Sequence, residues 1–252
     1  MRMNWLKTPN LPTDSVSTVM LDYRADEKII GKLNNRGIKT IPTCKNKNIS
    51  GAICGHADIM ICHLGGNSFV CSPDSYDYFS QVFGTADINL IKGNNVLSRT
   101  YPRDTAYNVA MIGDKIMVCA ENHTDTKLLN ACKLSNLTLV NVKQAYAKCN
   151  TCVISSDAII TSDVSIAKGA IAVGIDTLLI SPGHIRLPGH EYGFIGGATG
   201  LLAKDTLAIC GTLRHHPDYS AILAFCHKYG VKLFDLSDEM PIDIGSILPL
   251  SC

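Results

Sequence analysis

Residues 191–211 read EYGFIGGATGLLAKDTLAICG. A polar and small start leads into an apolar run, a Lys204-Asp205 turn follows, and a second apolar run ends at Cys210. Three more stretches have the same shape: GHADIMICHLGGNSFVCS at 55–72, YPRDTAYNVAMIGDKIMVCA at 101–120 and YAKCNTCVISSDAIITSD at 146–163. PIDIGSILPLSC at 241–252 carries the first half of the pattern before the chain ends. Anchored on Asp58, Asp104, Cys149, Ile195 and Asp243, the copies lie 46, 45, 46 and 48 residues apart. A fixed period of this size marks a repeat architecture, and each copy reads as a hairpin.

Helix and strand signals alternate between the hairpins. Ala25 to Arg36 carries an amphipathic pattern through Ile29, Ile30 and Leu33, with Gly37 placed to end the helix. Thr124 or Asp125, and Ser162 or Asp163, are placed to cap two further helices, and Gly174 stops the second of these. Ile222, Phe225, Cys226 and Tyr229 follow the i, i+3, i+4, i+7 spacing of one apolar face, ended by Gly230. Short strands are expected at 19–22, 38–41, 137–142, 177–180 and 231–234, with a weaker helix signal at 76–82. Each period is therefore ββαβ. An all-β propeller needs four strands per blade, and a helical solenoid has no hairpins. The expectation is a five-bladed α/β propeller of ββαβ repeats around a central axis, closed by the terminal segments and forming a single domain over 1–252. On that arrangement the five hairpin starts converge.

A content of 46% apolar and 18% charged residues fits a compact chain with little disorder. The net charge of +1 supplies no electrostatic footprint for nucleic acid. The opening MRMNWLKTPNLPTD lacks the apolar stretch of a signal peptide, and no apolar run reaches the ~18 residues of a membrane span. Eleven cysteines, an odd number spread through apolar runs such as Cys62, Cys71, Cys119 and Cys210, read as small buried hydrophobes in a reducing compartment. The expectation is a cytoplasmic protein without a membrane or nucleic-acid partner.

The repeat resembles that of the pentein superfamily, the guanidine-modifying enzymes. Tyr101-Pro102-Arg103-Asp104-Thr105 is similar to the superfamily's Pro-Arg-Asp segment, Phe194-Ile195-Gly196-Gly197 to its Phe-Glu-Gly-Gly-Asp segment, and Gly245-Ser246-Ile247 to the small-residue segment near its C-terminus. The resemblance implies a Cys nucleophile near the C-terminus, a His acid/base and carboxylates that grip a guanidinium. The chain departs from this pattern. Ile195 stands where the Glu is expected and Ala198 where the Asp is expected, and Leu248-Pro249 follow where the nucleophile is expected.

The hairpin starts nevertheless bring chemistry. Asp58, Asp104 and Asp243 can accept from a guanidinium or ammonium group, and Arg103 can grip a carboxylate. Cys149 or Cys152, beside Lys148, are candidate nucleophiles, with His56 or His190 as the acid/base. Cys252 is a third thiol, at the chain end. Cys149 reads equally as a small turn residue, and Cys152 continues an apolar run and reads first as a packing residue. Arg103-Asp104 can be a structural ion pair, and His56-Ala57-Asp58 a hydrogen-bonded loop pair. The Cys149-x-x-Cys152 spacing raises zinc, with His56, His63 or His190 as partners, but no second such pair exists and no metal or cofactor is expected. Two functions follow. One is a Cys-dependent hydrolase or amidinotransferase acting on a small guanidino- or amino-acid-like ligand in a central pocket. The other is a non-catalytic binding module for a small ligand or a macromolecule, as in the ribosome anti-association factors of this fold.

Overall fold

A computed structural model of the protein describes residues 3–84 and 86–252. The chain opens with β1 (Thr18–Leu21), α1 (Glu27–Asn34) and β2 (Lys39–Pro42). Four repeats follow. The first holds α2 (Ala57–Met60), β3 (Ile61–Gly65), β4 (Ser68–Cys71), α3 (Tyr76–Phe83) and β5 (Asn89–Lys92). The second holds β6 (Ala110–Ile112), β7 (Ile116–Cys119), α4 (Thr126–Leu134) and β8 (Thr138–Asn141). The third holds α5 (Ala147–Asn150), β9 (Thr151–Ser155), β10 (Ala158–Thr161), α6 (Val164–Ala172) and β11 (Asp176–Leu179). The fourth holds β12 (Thr199–Ala203), β13 (Thr206–Ile209), α7 (Tyr219–Lys228) and β14 (Lys232–Asp235), and β15 (Leu248–Ser251) closes the chain.

The local chemistry explains these boundaries. Asp26, Asp125 and Asp163 cap α1, α4 and α6, each carboxylate accepting from a backbone N–H of the first turn at 2.8, 2.9 and 2.9 Å. Asp therefore takes the cap where Thr124 and Ser162 were the alternatives. Gly37, Gly174 and Gly230 follow α1, α6 and α7 at φ of 77°, 86° and 70°, the left-handed turn that releases a chain from a helix. The helices bury their apolar faces, Ile29 and Leu33, Leu128 and Cys132, Ile166 and Ala170, Ile222 and Cys226, and α6 lies between β11 of its own sheet and β8 of the preceding one. Phe225 and Tyr229 are half-buried at the edge of that face.

In every repeat the hairpin strands pair antiparallel, and the strand after the helix returns parallel to the second hairpin strand. The two chain ends build the same pattern between them. β15 pairs antiparallel with β1, Met20 facing Leu248, and β1 pairs parallel with β2, Met20 facing Ile41. The half-repeat at the C-terminus is thus completed by the N-terminal strand–helix–strand. Trp5 fixes this junction by bridging to Ser251 and packing edge-on against Phe69 and Phe83 of the next repeat.

The expected closed α/β propeller is not what the strand pairing makes. The strands form five separate three-stranded mixed sheets, β15-β1-β2, β3-β4-β5, β6-β7-β8, β11-β10-β9 and β12-β13-β14, and none is closed. The physical reason lies in the faces of the hairpin strands: Val153 of β9 packs with Ile112 of β6, and Cys152 and Ile154 on its other face pack with Leu201 of β12, so neighbouring sheets meet face to face and not edge to edge. They meet through side chains, with β6 lying against β9, β9 against β12 and β12 against β15. All eleven cysteines are free and nine are buried, which accords with their reading as small core residues. Among the described residues no helix is long and apolar enough to cross a membrane.

One core group makes the fold sensitive to acid. His63 stacks on Phe69 with ring centroids 4.3 Å apart, and its Nε2 lies 2.8 Å from Gly66 O. Burial lowers its pKa to about 4. The unfolded chain takes up this proton near pH 6.5 while the folded chain resists it, so stability present above pH 6.5 is lost as pH falls towards 4, by up to about 3 kcal/mol. His63→Gln keeps a donor for Gly66 and removes the titration. The urea midpoint of this variant should fall less between pH 7 and pH 4.5 than that of the parent, and parallel falls would contradict the assignment.

Candidate functional site

The segments that precede the hairpins meet in a buried polar cluster. Asp58 comes from α2, Asn108 from the turn before β6, Lys148 and Cys149 from α5, Gly196 and Gly197 from the turn before β12, and Asp243 and Ser246 from the turn before β15. Each of the five sheets thus contributes through the chain that enters its hairpin.

Ser246 ties the cluster together. It is fully buried, and its backbone sits at φ 75°, a left-handed conformation rare for a residue with a side chain. Lys148 Nζ donates to Ser246 Oγ at 2.9 Å, and Ser246 Oγ lies 2.6 Å from Asp58 Oδ2 and 2.9 Å from Gly196 O. The hydroxyl has one proton and two acceptors, and the closer carboxylate is the better placed. A buried ammonium and a buried carboxylate are therefore joined through a hydroxyl rather than in direct contact. Lys148 also lines a small recess with Asn10, Asp58 and His63.

Cys149 lies beside Asp58. Its Sγ donates to Asp58 Oδ2 at 3.2 Å and accepts from Asn108 Nδ2 at 3.1 Å. Burial, followed by the charges of Asp58 and Asp243, pushes this thiol well above its ordinary pKa. It is a thiol at neutral pH. Asn108 Nδ2 also reaches Asp58 O at 3.0 Å, so one amide holds α2 and α5 in register.

Asp243 occupies the other side. Its Oδ2 accepts from Phe194 N and its Oδ1 from Gly245 N, both at 2.9 Å, and burial raises its pKa against the opposing influence of His56. The Gly196-Gly197 pair has its reason here: a Cβ on Gly197 would collide with the Asp243 carboxylate. His56 stands between two carboxylates, Nδ1 3.7 Å from Asp243 Oδ1 and Nε2 4.0 Å from Asp22 Oδ2. Its Nδ1 and the Oδ1 of Asp58 are buried without a hydrogen-bond partner. His56, Asp22 and Asp243 open onto a cleft of about 370 Å³ that Arg24, Leu187 and Pro188 also line. Arg24 forks onto Asp22 through Nε at 2.9 Å and an Nη at 2.6 Å, and donates further to Gly51 O and Ala52 O.

The structure thus gathers Asp58, Cys149, Lys148, His56 and Asp243. Asp104 lies apart, accepting from Tyr146 Oη at 2.7 Å, with its other oxygen unpartnered and its pKa raised by burial. Arg103 is exposed and borders a surface cleft with Asn122 and His123, away from the cluster. His190 is exposed on a loop, close enough for its charge to act on Asp104. Cys152 packs in the core among Ile154, Leu201 and Leu207, where burial pushes its thiol up to about 11. Cys252 Sγ lies 3.6 Å from Asp14 O, at the chain junction. Four residues of the site escaped sequence reading. Asn108 was legible as a lone amide in the run Ala106-Tyr107-Asn108-Val109. Ser246 was read only as a small residue, Asp22 only as a strand end, and Arg24 carried no signal.

The assembly of ββαβ sheets is pentein-like in fold, as solved structures of amidinotransferases and deiminases show. An inosamine-phosphate amidinotransferase from Streptomyces griseus is similar at a TM-score of 0.58 and 9% identity, over 96% of this chain and 98% of that one. DDAH from Pseudomonas aeruginosa, in complex with citrulline, is similar at 0.57 and 8%, over 88% and 92%. An agmatine deiminase from C. jejuni is similar at 0.55 and 9%, over 91% and 90%. At such identity the likeness is one of fold. Residues 20–248 match the model of the "Family of unknown function (DUF6873)", and the chain belongs to that family. No curated protein matches it by sequence.

Asn108→Ala removes an acceptor from two buried backbone N–H groups and a donor from Cys149 and Asp58. It should lower the unfolding free energy in urea by roughly 2–4 kcal/mol, the cost of unsatisfied buried polar groups, and a loss under about 0.5 kcal/mol would contradict the bridging role.

Proposed function

We propose that this protein binds a small cationic, guanidino- or amino-acid-like ligand in the cleft floored by His56 and Asp243. The cleft carries the reading. Its volume of about 370 Å³ suits an amino-acid-sized molecule, and it presents both signs of charge. Asp22 and Arg24 neutralise each other, which leaves the Asp243 carboxylate to favour a cation. Of the five guanidinium N–H groups of Arg24, four donate to Asp22, Gly51 and Ala52. The fifth remains for a ligand carboxylate. Agmatine, in the name of one protein of similar fold, and citrulline, bound to another, are of this size, and the fold alone does not carry them over.

Two features weigh against covalent chemistry through Cys149. It does not line the cleft, and burial together with the two neighbouring carboxylates keeps it protonated. Binding is therefore the reading preferred over a thiolate-dependent hydrolase or amidinotransferase. Calorimetric titration with L-arginine and L-citrulline tests it, since the two are nearly isosteric and differ in the charge of the terminal group. Arginine should bind, and citrulline should bind roughly tenfold or more weakly for loss of a charge-assisted contact. Equal affinities, or no binding of arginine, would overturn the proposal.

A further inference from the structure

We infer that His56, Asp58 and Cys149 form a binding site for a zinc-class divalent metal ion. Each offers one ligand atom, an imidazole nitrogen, a carboxylate oxygen and a sulfur, and the three atoms lie within 4.8 Å of one another. Among the described residues this is the one group of its kind. All three side chains are buried, at 1%, 2% and 3% exposure. Zinc bonds of about 2.0–2.3 Å place neighbouring tetrahedral ligands roughly 3.3–3.8 Å apart, so shifts on the order of 1 Å close the set. The Cys149 sulfur already touches the Asp58 carboxylate, Sγ 3.2 Å from Oδ2, which leaves Oδ1 for the ion.

A second observation points to a ligand. His56 Nδ1 and Asp58 Oδ1 are buried without partners, although buried polar atoms are almost always satisfied. A cation bonded to both supplies what is missing. The surroundings fit as well. A metal-bound histidine commonly gives its other N–H to a carboxylate, and His56 Nε2 faces Asp22 Oδ2 at 4.0 Å, itself held by Arg24. Coordination requires Cys149 as the thiolate, so its proton leaves to solvent as the ion enters. With Asp58, Asp243 and Cys149 each carrying one negative charge, the ion and the Lys148 ammonium balance them. The mixed sulfur, nitrogen and oxygen set selects zinc or cobalt over magnesium or calcium, which take oxygen alone. Three protein ligands leave a fourth position, and His56 borders the cleft from which water or a small molecule reaches it.

This inference goes beyond ligand binding in the cleft and does not depend on it. The test is a titration of the chelator-treated protein with Co²⁺, followed by absorption. A one-to-one complex with a thiolate-to-cobalt charge-transfer band is expected. Cys149→Ser should abolish the band, Asp58→Asn should weaken binding roughly tenfold or more, and Cys152→Ser should leave both unchanged. X-ray absorption on the unmodified zinc-loaded protein gives a reading independent of variant folding, with one sulfur and the remaining ligands nitrogen or oxygen. Absence of the band, its survival in Cys149→Ser, or two or more sulfur ligands would overturn the site.

Discussion

Lys148 and Asp58 belong to different repeats, both are buried, and neither touches the other. The hydroxyl of Ser246, from a third repeat, accepts a hydrogen bond from the ammonium and donates one to the carboxylate. Buried charges must be paired and hydrogen-bonded, or their desolvation outweighs any gain. That requirement constrains much of the centre. It holds Ser246 at φ 75°, and it draws Gly196 close enough for its carbonyl to join the network. It also places Cys149 beside a carboxylate that keeps its proton on. The short sheets share no strand pairing, so bonds of this kind and side-chain packing must join them.

Most of the elements were legible because they rest on local rules. The period of about 46 residues marked the hairpins, and positive-φ glycines and capping aspartates marked the helix ends. Both follow from backbone sterics and from unsatisfied helix-end N–H groups. The closing of the sheets was not legible, because the pattern of apolar residues says which face is buried and says nothing of whether edge strands pair. In this chain the two faces of β9 are buried against the side chains of β6 and β12, and the sheets therefore stack and do not join into a continuous one.

The site was half legible. Asp58, Cys149 and Asp243 stood out as polar residues at equivalent repeat positions, and the structure brings all three together with Lys148 and His56. Asp104 occupies the matching position in the sequence but lies apart on Tyr146, and Asn108, four residues on, enters the cluster in its place. Asp22 and Arg24 were missed for a different reason. They follow β1, in the repeat split between the chain ends, where the period offers no alignment. Cys152 illustrates the limit of spacing arguments: three residues from Cys149, it points into the core between two sheets.

The central claim is that one hydroxyl couples an acid and a base across three repeats. A double-mutant cycle with Asp58→Asn and Lys148→Met, read as unfolding free energy in urea, addresses it directly. Groups joined through a shared partner should show a coupling energy of about 1 kcal/mol or more. Additive losses, within about 0.5 kcal/mol, would show that the two charges are held independently and would contradict the account.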